Sequence, residues 1–127
     1  MSDSEEAMRH RDSTASAVRL GLFSVLFSLT IAFSITDLLT TASALRDSLS
    51  EGNSLIISLA NFLNLGVLAT LGITKIFFIA ASALSSIIGV TSSDPRVRIR
   101  MVILMVILVV LLFLVSANNL FWITSRI

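Results

Sequence analysis

The chain has 127 residues, of which 55% are apolar and 13% are charged, and its formal net charge is +1. These values exclude an ordinary water-soluble domain, in which the charged share is about twice as large. They also leave no basic face that would favour nucleic-acid binding. The chain contains no cysteine, which excludes disulfides, thiolate catalysis and cysteine-ligated metal.

The first 17 residues are polar, rich in serine and mixed in charge. A segment of this kind cannot bury enough apolar surface to order itself, so we predict a disordered cytoplasmic tail over residues 1–17. Residues 18–127 then form a single helical transmembrane domain. Its first helix is predicted over about residues 18–44, because the apolar stretch is followed by the turn-forming residues Asp47, Gly52 and Asn53.

The next apolar segment, residues 54–90, is too long for one span. A helix over its 37 residues would measure about 55 Å, nearly twice the hydrocarbon thickness of a bilayer. One interpretation divides the segment near Gly72 into two spans, which gives four transmembrane helices. The other makes residues 55–65 a short re-entrant or interfacial helix and residues 66–90 one span.

The distribution of arginine decides between these topologies, because basic residues in short loops favour the cytoplasmic side. Four spans divide the eight arginines equally between the two sides. Three spans place six of them inside (Arg9, Arg11, Arg19, Arg96, Arg98, Arg100) and two outside (Arg46, Arg126). We therefore predict an all-α membrane protein with three transmembrane helices plus a short re-entrant or interfacial helix, the amino terminus inside and the carboxyl terminus outside.

The last helix is predicted over about residues 96–123, after a loop that ends in Asp94 and Pro95. Its first turns carry three arginines that lie at the inner membrane interface together with one from the first helix. We interpret these four residues as a topogenic signal that also contacts lipid headgroups. They are Arg19, Arg96, Arg98 and Arg100.

Polar residues on the three spans are predicted to meet. On the first helix Thr30, Ser34, Asp37 and Thr41 follow i, i+4, i+7, i+11 spacing and share one face. The second span carries a stripe of small and polar residues, namely Gly72, Lys75, Ser82, Ser86 and Gly89. At 1.5 Å per residue, Asp37, Lys75 and Asn118 all lie about 27–31 Å above the inner interface. We therefore predict an intramembrane ion pair of Asp37 and Lys75, with Asn118 close to it.

A pattern in this region is carried by Asp37, Thr41, Glu51, Asn53 and Lys75, over about residues 34–90. It reads Asp-x-x-(Leu/Thr)-Thr, then Glu-x-Asn-Pro, then a lysine in a later apolar span. This resembles the pattern of a family of small bacterial and archaeal membrane proteins of unknown function. Two positions depart from it, because Ser54 replaces the proline and Ser34 stands where asparagine is common. The resemblance implies a shared architecture and a polar site at the five matching residues.

These features predict a role without catalysis. There is no glycine-rich phosphate loop and no second histidine, so we predict no enzyme activity, no cofactor and no metal. The chain is predicted to be an accessory or structural subunit, or a self-associating protein, of the plasma membrane, with the lipid bilayer and other copies or subunits as its partners. The alternative is a small oligomeric transporter or channel for ions, protons or solutes that uses Asp37 and Lys75.

Overall fold

The computed structural model describes residues 2–46 and 54–125, and they form four helices. These are α1 (Asp3–Arg46), α2 (Ser54–Leu63), α3 (Val67–Thr91) and α4 (Pro95–Thr124). The helices α1, α3 and α4 are long and apolar enough to span a membrane. The ten residues of α2 measure about 15 Å, half of what a span requires. Three spans and a short helix are thus confirmed, and the four-span alternative is wrong.

The first helix begins much earlier than predicted. Residues 3–17, expected to be a disordered tail, continue α1 as exposed helix. Ser2 and Glu5 form half of a capping box: the Ser2 backbone N–H donates to Glu5 Oε2 at 3.1 Å. Asp3, Glu5 and Glu6 also place negative charge in the first turn, where the helix dipole favours it. These local signals outweigh the lack of buried apolar surface.

The break between α2 and α3 is made by the backbone. Asn64 takes a left-handed conformation with φ of 53°, which asparagine tolerates better than most residues. The Leu65 N–H donates to the Ala60 carbonyl at 3.0 Å, and the Asn64 N–H donates to the Asn61 carbonyl at 3.2 Å. This pair of bonds is a Schellman motif, a common way to end a helix. Within the described residues α2 packs only against α3, so the two form a helical hairpin.

The turn between α3 and α4 follows its sequence signals. The Asp94 carboxylate accepts a hydrogen bond from the Arg96 backbone N–H at 2.9 Å, which is the geometry of an N-cap. Pro95 occupies the first helical position, where its missing N–H costs nothing. The predicted restart of the helix here is confirmed.

The apolar core lies where α1 packs on α3 and α4. Phe23, Leu26 and Met105 are buried together, at the level where α3 presents Gly89. A Cβ atom on Gly89 would overlap the Phe23 ring, so glycine is what lets that ring lie against α3. The core is small. In the most apolar 18-residue stretch of each span, only 28% of the residues of α1, 22% of those of α3 and 17% of those of α4 are buried. Most of each span is therefore left to contact lipid or other chains.

Candidate functional site

The polar face of α1 turns into the bundle. Thr30, Ser34, Asp37 and Thr41 are all buried, as their helical spacing predicted. Thr30 satisfies its hydroxyl by donating to the Leu26 carbonyl at 3.0 Å. The Ser34 hydroxyl is buried and has no hydrogen-bond partner among the described residues. The row of polar side chains therefore runs along the centre of the bundle and includes one unsatisfied group.

Asp37, near the carboxyl-terminal end of this row, is paired with a lysine of α3. Lys75 Nζ of α3 forms an ion pair with Asp37 Oδ2 of α1. The Asp37 side chain is 0% exposed and that of Lys75 is 8% exposed, so neither charge is presented to solvent. The ammonium also lies 5.8 Å from the centre of the Phe78 ring, within the range of a cation–π contact. An unpaired charge at the centre of a membrane helix costs about 2.5–3.5 kcal/mol on insertion scales and less toward the interface, and pairing removes this cost.

The third span, α4, contributes Asn119 and not Asn118 to this site. Asn119 donates through Nδ2 to Asp37 Oδ1 and, at 3.3 Å, to Thr41 Oγ1. Asn118 is exposed, so its predicted place in the site is wrong. The estimate of depth from the rise per residue could not distinguish Asn118 from Asn119. Adjacent residues differ in height by only 1.5 Å, but their side chains point about 100° apart around the helix axis. The sequence signal that would have favoured Asn119 is its i, i+3 spacing from Ser116, which places the two polar side chains on one helix face.

We call Asp37, Thr41, Lys75 and Asn119 the ion-pair cluster. Asp37 lies nine residues before the end of α1, Lys75 eight residues after the start of α3, and Asn119 five before the end of α4. At 1.5 Å per residue they are about 8–14 Å from the ends of their helices. The predicted common level of the three spans is thus present in the structure, close to one end of the bundle.

Two residues of the predicted site lie outside the described residues. They are Glu51 and Asn53, between α1 and α2. Their predicted place in the polar site with Asp37 and Lys75 therefore stays a prediction.

Below the ion-pair cluster the helices are joined by weaker polar contacts. Ser82 of α3 donates to Thr30 Oγ1 at 3.1 Å, and Ser116 of α4 donates to the Phe33 carbonyl at 3.3 Å. Ser86 donates to the Ser82 carbonyl at 2.8 Å and contacts Met105 Sδ at 3.4 Å. The small and polar stripe predicted on α3 therefore faces protein. Its upper glycine, Gly72, is the exception, because nothing lies within 4 Å of its Cβ position.

The four predicted interfacial arginines gather at the opposite end. We call this the arginine end: it consists of Arg19 of α1, the α3–α4 turn, and Arg96, Arg98 and Arg100 in the first two turns of α4. Arg19 and Arg98 are half-buried, whereas Arg96 and Arg100 are exposed. The turn also carries Asp94, whose carboxylate caps α4.

The chemistry available at the ion-pair cluster is limited. It holds one carboxylate, one ammonium, one amide and one hydroxyl, and the carboxylate is contacted from both neighbouring helices. Within the described ranges no three side chains of the His, Cys, Asp and Glu types come together to hold a metal ion. The arrangement can fix three helices relative to one another, or it can hold a charge within the membrane.

Comparison with known proteins adds no further assignment. No protein-family profile, curated protein or solved structure matches the chain. The resemblance of Asp37, Thr41 and Lys75 to the pattern of the small membrane-protein family therefore stays a prediction. What the chain is shown to be is an all-helical protein with three helices able to span a membrane.

Proposed function

We propose that the chain is a non-catalytic membrane protein, an accessory or structural subunit or a self-associating protein, whose polar groups hold its own helices together. One observation carries the proposal: both charges of the ion pair are used within a single chain. Asp37 has no exposed surface, and it is contacted by Lys75 from one neighbouring helix and by Asn119 from the other. A carboxylate enclosed in this way is suited to packing more than to exchange with a solute.

The apolar layer near the arginine end supports the same proposal. Phe23, Leu26 and Met105 are buried across the three-helix packing, and the Phe23 ring lies against Gly89. A conducting path needs polar groups or water from one surface to the other. This layer separates the ion-pair cluster from the arginine end within the chain.

The large unburied surface of the spans favours association with other chains. Fewer than a third of the residues in the most apolar stretch of each span are buried, and α3 exposes the small residues Ala80 and Ala81. Small residues allow transmembrane helices to approach closely. The partners we propose are further copies of the chain or other membrane subunits, in addition to lipid.

We place the protein in the plasma membrane as a multi-pass protein with its amino terminus in the cytoplasm and its carboxyl terminus outside. The support for this orientation is the six-to-two distribution of arginines in a three-span topology. With three spans, the amino-terminal side of α1 and the α3–α4 turn lie on the same side of the membrane.

The second candidate is a small oligomeric transporter or channel. The observation that favours it is the buried polar row on α1, in which Ser34 carries a hydroxyl with no hydrogen-bond partner among the described residues. Ionisable residues inside transmembrane helices commonly mark ion or proton pathways. In this case several copies would have to bring their Asp37 and Lys75 side chains around a shared path.

Flux measurements in proteoliposomes distinguish the two candidates. We expect the wild type to show no ion or proton flux above that of empty liposomes. Flux that Asp37→Asn abolishes, and that Asp94→Asn leaves intact, would overturn the proposal in favour of transport. Asp94→Asn is the matched control because it makes the same chemical change at an exposed turn, where asparagine also caps a helix.

Association is tested separately by fluorescence. The chain has no cysteine, so Ser4→Cys introduces a single labelling position on the exposed start of α1. If the chain associates with itself, we expect energy transfer between donor-labelled and acceptor-labelled copies in the same liposomes, at protein densities where random proximity is negligible. If it associates with another subunit, we expect that subunit to be recovered with it from native membranes in a stoichiometric amount. Failure of both would contradict the proposed role.

A further inference from the structure

Two arginines at the arginine end differ from the rest. Arg19 of α1 and Arg98 of α4 are half-buried. The other arginines whose side chains the structure describes are exposed, namely Arg9, Arg11, Arg96 and Arg100. A half-buried arginine packs its aliphatic stem against protein, so the direction of its guanidinium group is set by the bundle, unlike that of the exposed arginines.

Both side chains lie on the packed faces of their helices. Arg19 precedes Phe23 by four residues, and Arg98 precedes Val102 by four residues. Phe23 belongs to the apolar core, and Val102 packs against that core. Residues four apart share a helix face, so Arg19 and Arg98 continue the contact between α1 and α4 about 6 Å beyond the apolar core.

No carboxylate of the described chain neutralises this pair. Among the residues that the structure describes, none of the arginines at this end forms an ion pair. The ion pair found in that part of the chain joins Asp37 and Lys75, at the other end of the bundle. The nearby acid in the sequence, Asp94, caps α4 through Oδ1 and forms no ion pair with either arginine among the described residues. Two positive charges on packed helices at the same end of the bundle repel each other, and an anion bound by both would remove that repulsion.

We infer that Arg19 and Arg98 bind the phosphate of an anionic phospholipid headgroup. Guanidinium groups bind phosphate through paired hydrogen bonds, and two of them from different helices would enclose one headgroup. The inference is independent of the proposed function, because a transporter or an accessory subunit would meet the same lipid.

A lipid is a better fit than a free phosphate ion. Arg19 lies 18 residues before Asp37, about 27 Å along α1, which is close to the thickness of the hydrocarbon layer and places the guanidinium at headgroup level. Apolar side chains continue from the site along the outside of the bundle: Leu22 is 44% exposed and Ile103 is 54% exposed. An acyl chain can therefore lie beside the helices while its headgroup is held. Arg96 and Arg100 add charge at the rim.

Thermal unfolding of the purified chain in a neutral detergent, followed by circular dichroism at 222 nm, tests the inference. The wild type is titrated with phosphatidylglycerol, with phosphatidylcholine, and with sodium phosphate at matched concentrations. We expect phosphatidylglycerol to raise the melting temperature and the other two additives to leave it almost unchanged. In Arg19→Gln/Arg98→Gln the half-maximal phosphatidylglycerol concentration should rise about 25-fold, which is about fivefold per arginine.

The matched control is Arg9→Gln/Arg11→Gln, which removes the same charge from exposed positions of α1 and should respond to phosphatidylglycerol as the wild type does. If Arg19→Gln/Arg98→Gln does not fold, Arg98→Gln is compared with Arg11→Gln, and a fivefold difference is expected. Three results would overturn the inference: equal stabilisation by the two lipids, equal responses of the variant and its control, or equal stabilisation by free phosphate.

Discussion

Replacing Lys75 by methionine tests whether the ion-pair cluster stabilises the fold. Methionine keeps the length and apolar character of the lysine stem but removes the ammonium group. Asp37, which has no exposed surface, then has only the Asn119 amide as a direct partner. Removing one member of a buried ion pair typically costs about 3–5 kcal/mol, because the other charge stays buried without compensation. We expect Lys75→Met to lower the free energy of unfolding by about that amount.

The double variant Asp37→Asn/Lys75→Met separates the effect of leaving one charge unpaired from the effect of changing the packing of the two side chains. It buries no charge, and the amide of residue 37 still has a hydrogen-bonding partner in Asn119, so we expect most of the lost stability to return. The assay is unfolding by sodium dodecyl sulfate in mixed micelles, followed by circular dichroism. Arg11→Met is the control for the loss of one positive charge at an exposed position. The reasoning is refuted if Lys75→Met unfolds like this control, or if the double variant is as unstable as the single one.

Three further predictions each compare two variants. The first two use the same unfolding assay, and the third uses hydrogen exchange. Asn119→Leu should cost about 1–2 kcal/mol through loss of its bonds to a buried carboxylate, whereas Asn118→Leu at an exposed position should cost nothing measurable. Gly89→Ala should cost about 1–3 kcal/mol because its Cβ would overlap an aromatic ring of α1, whereas Gly72→Ala has free space and should be neutral. Asn64→Gly should preserve the left-handed end of α2, and Asn64→Val should speed hydrogen exchange in α2; equal exchange in both would contradict the role of that conformation.

The order and length of the spans could be predicted because they follow from simple requirements. Residues 54–90 are too many for one bilayer crossing, and the arginine count favours three spans with a short helix over four spans. The structure ends α2 at Leu63 and begins α3 at Val67, within a residue or two of the prediction. Asp94 and Pro95 likewise mark the start of α4 through local chemistry that needs no tertiary contact.

The predictions that failed depended on weaker signals. A polar composition indicated disorder for residues 3–17, but a helix can form there from its cap and its dipole without burying anything. The sequence Ser2-Asp3-Ser4-Glu5 carried the capping-box pattern that would have indicated this. The choice of Asn118 over Asn119 failed for another reason, because height along a helix does not determine rotation about its axis.

The ion-pair cluster and the apolar core have different effects on the packing of the same three helices. Lipid tails are as apolar as the core side chains, so burying Phe23 or Met105 in protein instead of lipid gives little driving force by itself. Close packing there depends on shape, chiefly on the space that Gly89 leaves. The ion-pair cluster is selective in a way that apolar packing is not, since rotating α1 or α3 away from the contact would leave Asp37 or Lys75 charged in hydrocarbon. The polar groups therefore determine which faces of the helices meet, and the apolar core determines how closely they approach.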